Sequence, residues 1–183
     1  MALNATLYPF EIELADADRG VYQSFALRAA RHPSEAEEFL VARVLAYCLE
    51  YTEGIGFSKG LSSPDEPAIF VRDLTGRLHA WIDIGVPDAA RLHRAAKAAS
   101  RVAVYTHKDP ALLRAALAGA RIHRSEHLAL FALDRSLVAA LCEGLGRRNA
   151  WSVAVSGSHL YVGAGGRACD GTLAPIVLDL QRA

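Results

Sequence analysis

Asp65, Glu66 and Asp83 are the acids whose spacing could do chemistry, and Lys59 is the cation placed to join them. With Leu74 and Thr75 at the tip of a hairpin, paired residue numbers sum to about 149–151, so Asp83 lies opposite residues 66 to 68. The carboxylates of Asp65 or Glu66 then converge with that of Asp83 at the open end, within reach of Lys59. Converging carboxylates repel one another and raise their own pKa unless a cation joins them. Mg²⁺, or Mn²⁺ in its place, suits such a pair, because it takes one or two carboxylates and completes its octahedron with water and phosphate. There it polarises a phosphoryl oxygen and activates water, and a lysine alongside stabilises the developing charge.

Other residues are candidates for supporting roles. Glu35 is a candidate accessory acid, or an acid favouring the start of a helix. Arg91, Arg94 and Lys97 recur every three positions, a stripe that is either a solvated helix face or a phosphate-holding surface; Arg91 and Arg94 are the candidates to hold a nucleic-acid backbone. Trp81 shares a strand face with Asp83 and reads as core. His123-Arg124-Ser125-Glu126-His127 has the spacing of one zinc protease motif, but that chemistry needs a helix and this stretch reads as a connection into a strand. Gly163-Ala164-Gly165-Gly166 lacks the lysine of a phosphate loop and reads as a flexible turn.

The elements that must position these groups follow from periodicity and punctuation. Alternation over 7–14 and 21–27, with turn chemistry between, predicts an N-terminal hairpin. Ser34 and Glu37 have capping-box spacing for a helix running to about Tyr51. A short strand over 55–59, strands over 68–72 and 77–84 around the turn Asp73-Leu74-Thr75-Gly76, a helix from Pro87-Asp88 and a strand over 101–106 complete a core at about 34–106. The order is helix–strand–strand–strand–helix–strand, a mixed α/β sheet with a crossover. Beyond it, helices are expected at 109–118 and 135–145. Strands are expected at 127–133, 150–155, 159–162 and 173–180, with a long Gly-rich turn over 163–171.

Bulk properties bound the answer. A chain of 183 residues with 52% apolar and 22% charged residues suits one domain over 1–183 with a sizeable core. No apolar run approaches a membrane span, and Met1 to Leu14 has no signal-peptide pattern, so a cytoplasmic protein is expected. Cys48, Cys142 and Cys169 show no metal-ligand spacing, and the first two read as small buried hydrophobes. Twenty acids against twenty bases give no net charge. That balance argues against broad nucleic-acid coating and leaves room for a local basic patch.

Pro64-Asp65 followed by Asp83-Ile84-Gly85, inside this order of elements, resembles the PD-(D/E)XK nuclease core. Arg31-His32-Pro33-Ser34-Glu35, Lys59-Gly60-Leu61-Ser62, Asp65-Glu66-Pro67, Asp73-Leu74-Thr75-Gly76, Trp81-Ile82-Asp83-Ile84-Gly85 and Val104-Tyr105-Thr106 resemble the YaeQ family, small bacterial proteins with a variant of that core. The resemblance implies a restriction-endonuclease-like αβββαβ core carrying an added N-terminal hairpin and C-terminal strands. It also implies a candidate Mg²⁺- or Mn²⁺-dependent site for hydrolysing nucleic-acid phosphodiesters, with Asp83 and either Asp65 or Glu66 as metal ligands. Two positions depart from the pattern: the motif lysine two residues after Asp83 is Gly85, and an acid after Glu66-Pro67 is replaced by Ala68. Lys59 is the candidate replacement for the lysine, and Lys97 the second. The alternative is a non-catalytic scaffold of the same fold that binds nucleic acid or a protein partner.

Overall fold

The structure is a computed structural model that describes residues 5–58, 65–178 and 181–182. The chain folds as two compact units, each discontinuous in sequence: unit 1 holds Met1–Leu49 and Leu133–Ala174, unit 2 holds Glu50–Ala132 and Pro175–Ala183. No helix among the described residues is long and apolar enough to cross a membrane.

Unit 1 is built on the expected hairpin, with strands longer than alternation alone suggests: β1 (Thr6–Asp16) and β2 (Val21–Arg31) pair antiparallel along their whole length. Asp16 is buried and locks the turn by accepting from the Arg19 backbone N–H at 3.1 Å and from Arg19 Nε at 2.6 Å. β9 (Asn149–Ser156) lies parallel to the other edge of β1, and β10 (His159–Ala164) and β11 (Arg167–Pro175) follow antiparallel. The inward residues Phe10, Ile12, Leu14, Trp151, Val153 and Val155 are buried, and Phe10 meets Trp151 edge-on at 5.0 Å. α1 (Glu37–Leu49) packs on β2 and on α4 (Arg135–Glu143).

Two expectations in this unit are corrected. The capping box at Ser34 and Glu37 does not form: Ser34 Oγ bonds His32 Nδ1 at 2.6 Å, and the helix begins only at Glu37. Residues 163–171 are not a long turn. Gly165 and Gly166 both have positive φ, 57° and 80°, the requirement of a two-residue hairpin turn that matches strand twist, so β10 and β11 run almost to it. Gly171 belongs inside β11 because any Cβ there would come within 2.7 Å of Asp134 Cβ. The strand expected at 173–180 ends at Pro175, and residues 179–180 lie outside those described.

Unit 2 carries a mixed sheet in the order β3 (Ile55–Phe57), β4 (Ile69–Arg72), β5 (Leu78–Ile84), β6 (Arg101–Thr106), β8 (Leu128–Leu133). The first three pair antiparallel, and β5–β6–β8 are parallel. α2 (Ala89–Ala98) makes the crossover from β5 to β6, capped by Asp88, whose side chain accepts from Arg91 N–H at 2.7 Å. α3 (Pro110–Leu117) and the short β7 (Arg121–Ile122), which pairs parallel with β12 (Gln181–Arg182), lead to β8. Leu92, Ala95, Val102, Val104, Leu113, Leu117, Ile122 and Leu130 form one core cluster. From α1 through β6 the order is the expected helix–strand–strand–strand–helix–strand.

Candidate functional site

The hairpin register places Asp83 as expected. Ile69 pairs with Ile82 and Phe70 with Trp81, which sets Asp83 opposite Ala68. β5 is buried on both faces from Ala80 to Ile84, as a strand flanked by a parallel neighbour normally is, so a carboxylate there must find partners. Asp83, 2% exposed, finds four donors. Arg91, in the first turn of α2, grips it with Nε on Oδ2 at 2.7 Å and Nη2 on Oδ1 at 2.8 Å. Trp81 Nε1 donates to Oδ2 at 2.9 Å, and the Ala68 backbone N–H reaches Oδ1 at 3.4 Å. Arg91 Nη2 also donates to the Glu66 carbonyl at 2.7 Å, and its guanidinium stands 5.4 Å from the Trp81 ring centre. The hydrogen bond that Arg91 donates to Asp83, ahead of burial acting in the other direction, holds the Arg91 pKa above its ordinary value, and the charges of Asp83, Asp88 and Asp65 add to this.

A carboxylate offers about four lone-pair positions, and these donors occupy them. The residues present therefore do not fit a divalent ion beside Asp83: a guanidinium stands where the ion would stand, and like charges do not share that site. Among the described residues, no group of three His, Cys, Asp or Glu is placed to hold a metal.

The other expected site residues divide. Glu66 joins the cluster through its backbone carbonyl while its residue is exposed, and Asp65, exposed in the same turn, acts on Arg91 only through its charge. Lys59 lies outside the described residues. Glu35 belongs to unit 1 and is buried there ahead of α1, not within its first turn. Its Oε2 accepts from the His32 N–H at 2.9 Å and its Oε1 lies 3.6 Å from Arg43 Nη1. Burial pushes its pKa above 4.5, against the opposing pull of Arg43. Arg91, a candidate to hold a nucleic-acid backbone, is turned to Asp83. Arg94 and Lys97, on the same helix, are exposed and make no ion pair among the described residues.

Gly85 stands where the resembled motif has a lysine. It has φ +87°, a conformation that L side chains rarely adopt, and a Cβ there would meet only His107 Cε1 at 3.8 Å. Backbone, not space, is what a lysine would violate.

Sequence reasoning missed a further buried acid, Glu50. Glu50 accepts from Arg101 Nε at 3.1 Å, Arg101 Nη2 at 2.6 Å and the Tyr105 hydroxyl at 2.7 Å. An acid where a helix gives way to loop, with no basic residue in the helix's last turn, is the signal that could have found it. Cys48 is buried as expected and Cys142 only half-buried; burial pushes both thiols up to about 12, so neither is a ready nucleophile.

His123 and His127 are not paired on a helix. His123 lies in the turn just after β7 and His127 at the end of a short 3₁₀ turn, with Arg124 between at φ 50°, and the His123 N–H donates to His93 Nδ1 at 3.2 Å. A small cavity lined by Ala96, Ala99, Arg124 and His127 among others sets Arg124 beside the C-terminal end of α2.

Comparison with known proteins places most of the chain in one group. The family described as YaeQ protein matches residues 1–173. An "uncharacterized protein YaeQ" of Salmonella typhi is 36% identical over 148 residues, 78% of this chain and 80% of the relative. One of Escherichia coli K12 is 37% identical over 111 residues, 61% of each chain. The crystal structure of YaeQ protein from Pseudomonas syringae superposes with TM-score 0.85 at 30% identity, covering 94% of this chain and 96% of that one. YaeQ protein from Xanthomonas axonopodis pv. citri gives 0.80 at 29% identity, with 93% and 97% covered.

Proposed function

The chain belongs to the YaeQ family, and we propose that it is a cytoplasmic nucleic-acid-binding protein whose restriction-endonuclease-like core serves as a scaffold without metal-dependent hydrolysis. One observation carries this: the Asp83 carboxylate is filled by Arg91, Trp81 and Ala68, while Arg94 and Lys97 on the same helix stand exposed and unengaged. The Asp83–Arg91 pair then ties α2 to the loop at residues 66–68, and the helix's outer side, continued by Arg124, presents cations to phosphates. Phosphate contacts of this kind supply affinity without reading sequence. Free thiols at Cys48, Cys142 and Cys169 suit a reducing compartment.

The test is fluorescence anisotropy with single- and double-stranded DNA and RNA oligonucleotides over a salt series. Binding should weaken linearly in log salt, and Arg94→Glu with Lys97→Glu should flatten the slope by about two, at roughly one per lost phosphate contact. Mg²⁺ or Mn²⁺ should neither raise Tm nor produce cleavage. Affinity untouched by the charge reversal would move the scaffold reading to a protein partner. Hydrolysis requires Arg91 to leave Asp83, so metal-dependent cleavage abolished by Asp83→Asn would replace the scaffold with an enzyme.

A further inference from the structure

We propose that unit 1 carries a binding site for a small phosphate monoester, built on the outward face of its sheet around Arg28 and Arg148. The strand register fixes it. Pro9 of β1 pairs with Arg28 of β2, and on the other side Phe10 pairs with Asn149 of β9, so Arg148 stands beside Pro9 one residue before that ladder begins. The alternation of buried and exposed residues puts Pro9, Arg28 and Arg148 on the same face, opposite buried Phe10, Leu27 and Asn149. Two arginines thus flank a residue whose side chain is low and offers no donor. Strand spacing sets their Cα atoms roughly 10 Å apart, a span two guanidiniums on flexible stems close from opposite sides.

Both side chains are available. Neither guanidinium makes an ion pair or hydrogen bond among the described residues, and both residues are exposed. Arg148 is nonetheless held in place at its backbone. The buried side chain of Asn149 donates to the carbonyls of Gly146, at 3.0 Å, and Pro9, at 3.3 Å, and accepts from the Gly146 N–H at 2.9 Å, which clips the loop before Arg148 onto β1. A surface cavity of about 670 Å³ opens here, lined by Leu7, Pro9, Glu11, Arg28, Arg148 and Ala150 among others. That volume is in the range of small-molecule sites.

The donor set selects the ligand. A planar guanidinium fork matches two oxygens of an oxyanion, and two forks approaching from opposite sides can each take two of the three terminal oxygens of a phosphate monoester, sharing one. One row further along the sheet, Glu11 is flanked across both neighbouring strands by Ala26 and Ala150, with no cation directly opposite. Its carboxylate is placed to accept from a hydroxyl on the body of the ligand. The class is therefore a hydroxyl-bearing phosphate monoester, a sugar phosphate or a nucleotide.

Isothermal titration of the full chain with inorganic phosphate, ribose 5-phosphate and adenosine 5′-monophosphate tests this, and the two monoesters distinguish the sources. The expected result is saturable binding at millimolar concentration or tighter, with a monoester ahead of inorganic phosphate. Arg28→Ala and Arg148→Ala should each weaken it on the order of tenfold, since each removes a charge-assisted pair. Glu11→Gln should weaken the monoesters and not inorganic phosphate. Arg147→Ala, a neighbouring charge outside the cavity lining, should leave binding unchanged. No saturable heat with any of the three probes, or equal weakening by Arg147→Ala, would overturn the site. Unchanged Tm in the arginine variants, both of exposed residues, separates lost binding from lost folding.

Discussion

Arg91 engages both carboxylate oxygens of Asp83, Nε on Oδ2 at 2.7 Å and Nη2 on Oδ1 at 2.8 Å, from the first turn of the helix that follows the strand bearing Asp83. The pair is asymmetrically buried: the Asp83 side chain is 3% exposed and that of Arg91 22%. A planar fork on a desolvated carboxylate is a strong and directional contact, and here it joins strand, helix and loop at one point. Asp83 is thereby an anchor between these elements.

Removing Arg91 therefore exposes what the anchor is worth. Arg91→Ala leaves a buried carboxylate without its counter-charge and should cost about 3 kcal/mol in urea unfolding, toward the lower end for a broken buried pair because Arg91 is partly solvated. Asp83→Asn combined with Arg91→Ala should cost less than the two single changes added together. A loss below about 1 kcal/mol for Arg91→Ala, the scale of an exposed ion pair, would show that the pair does not hold the fold.

Gly85 sets a second test. Restoring the motif lysine by Gly85→Lys forces an L side chain into φ +87° and should cost about 1–2 kcal/mol, with no gain of cleavage. Gly85→Ala should cost nearly as much, because the backbone is strained and the space beyond is open. An unchanged midpoint for either variant, measured by chemical denaturation, would remove backbone geometry as the reason lysine is absent.

The element order was legible because alternation, glycine turns and helix starts are local signals. The pairing of Asp83 with Ala68 was legible too, since the tight turn at Asp73 to Gly76 leaves little freedom of register. Partner choice was not. Whether Arg91 turns inward to Asp83 or outward beside Arg94 depends on the rotation of α2 about its axis, which core residues such as Leu92 and Ala95 settle in three dimensions. Ser34 misled for a similar reason: its spacing to Glu37 suits a cap, but His32 offered its hydroxyl a closer partner. The Glu50 cluster joins residues more than fifty positions apart, beyond any periodicity.

That cluster gives a third expectation. Tyr105→Phe deletes one donor to the Glu50 carboxylate and keeps the ring stacked on Phe131 at 5.1 Å. The loss should be about 1.5–3 kcal/mol, the scale of a hydrogen bond to a charged group. Arg101→Ala removes two donors and should cost more than Tyr105→Phe in the same unfolding series. The reverse order would mean that the hydroxyl, not the guanidinium, is the principal partner of Glu50.

The pH dependence of stability tests Glu35. Burial holds its pKa above 4.5 in the folded state, and the charges of Arg43, His32 and Arg31, with the His32 N–H, only partly offset that. A folded-state pKa above the unfolded one means that the protonated acid favours folding. Its contribution is complete below the unfolded value and is lost as pH rises through the folded one. Glutamine in place of Glu35 keeps a side-chain oxygen for the His32 N–H and cannot ionise. The difference in Tm between Glu35→Gln and the parent should therefore move in favour of the variant as pH rises from about 4 toward neutrality. The loss of the Arg43 counter-charge is felt only where the parent's Glu35 is ionised, and it is already contained in the net rise of that pKa, in which burial is the larger cause. A difference that stays level, or moves toward the parent as pH rises, would mean that the Arg43 charge outweighs burial at Glu35.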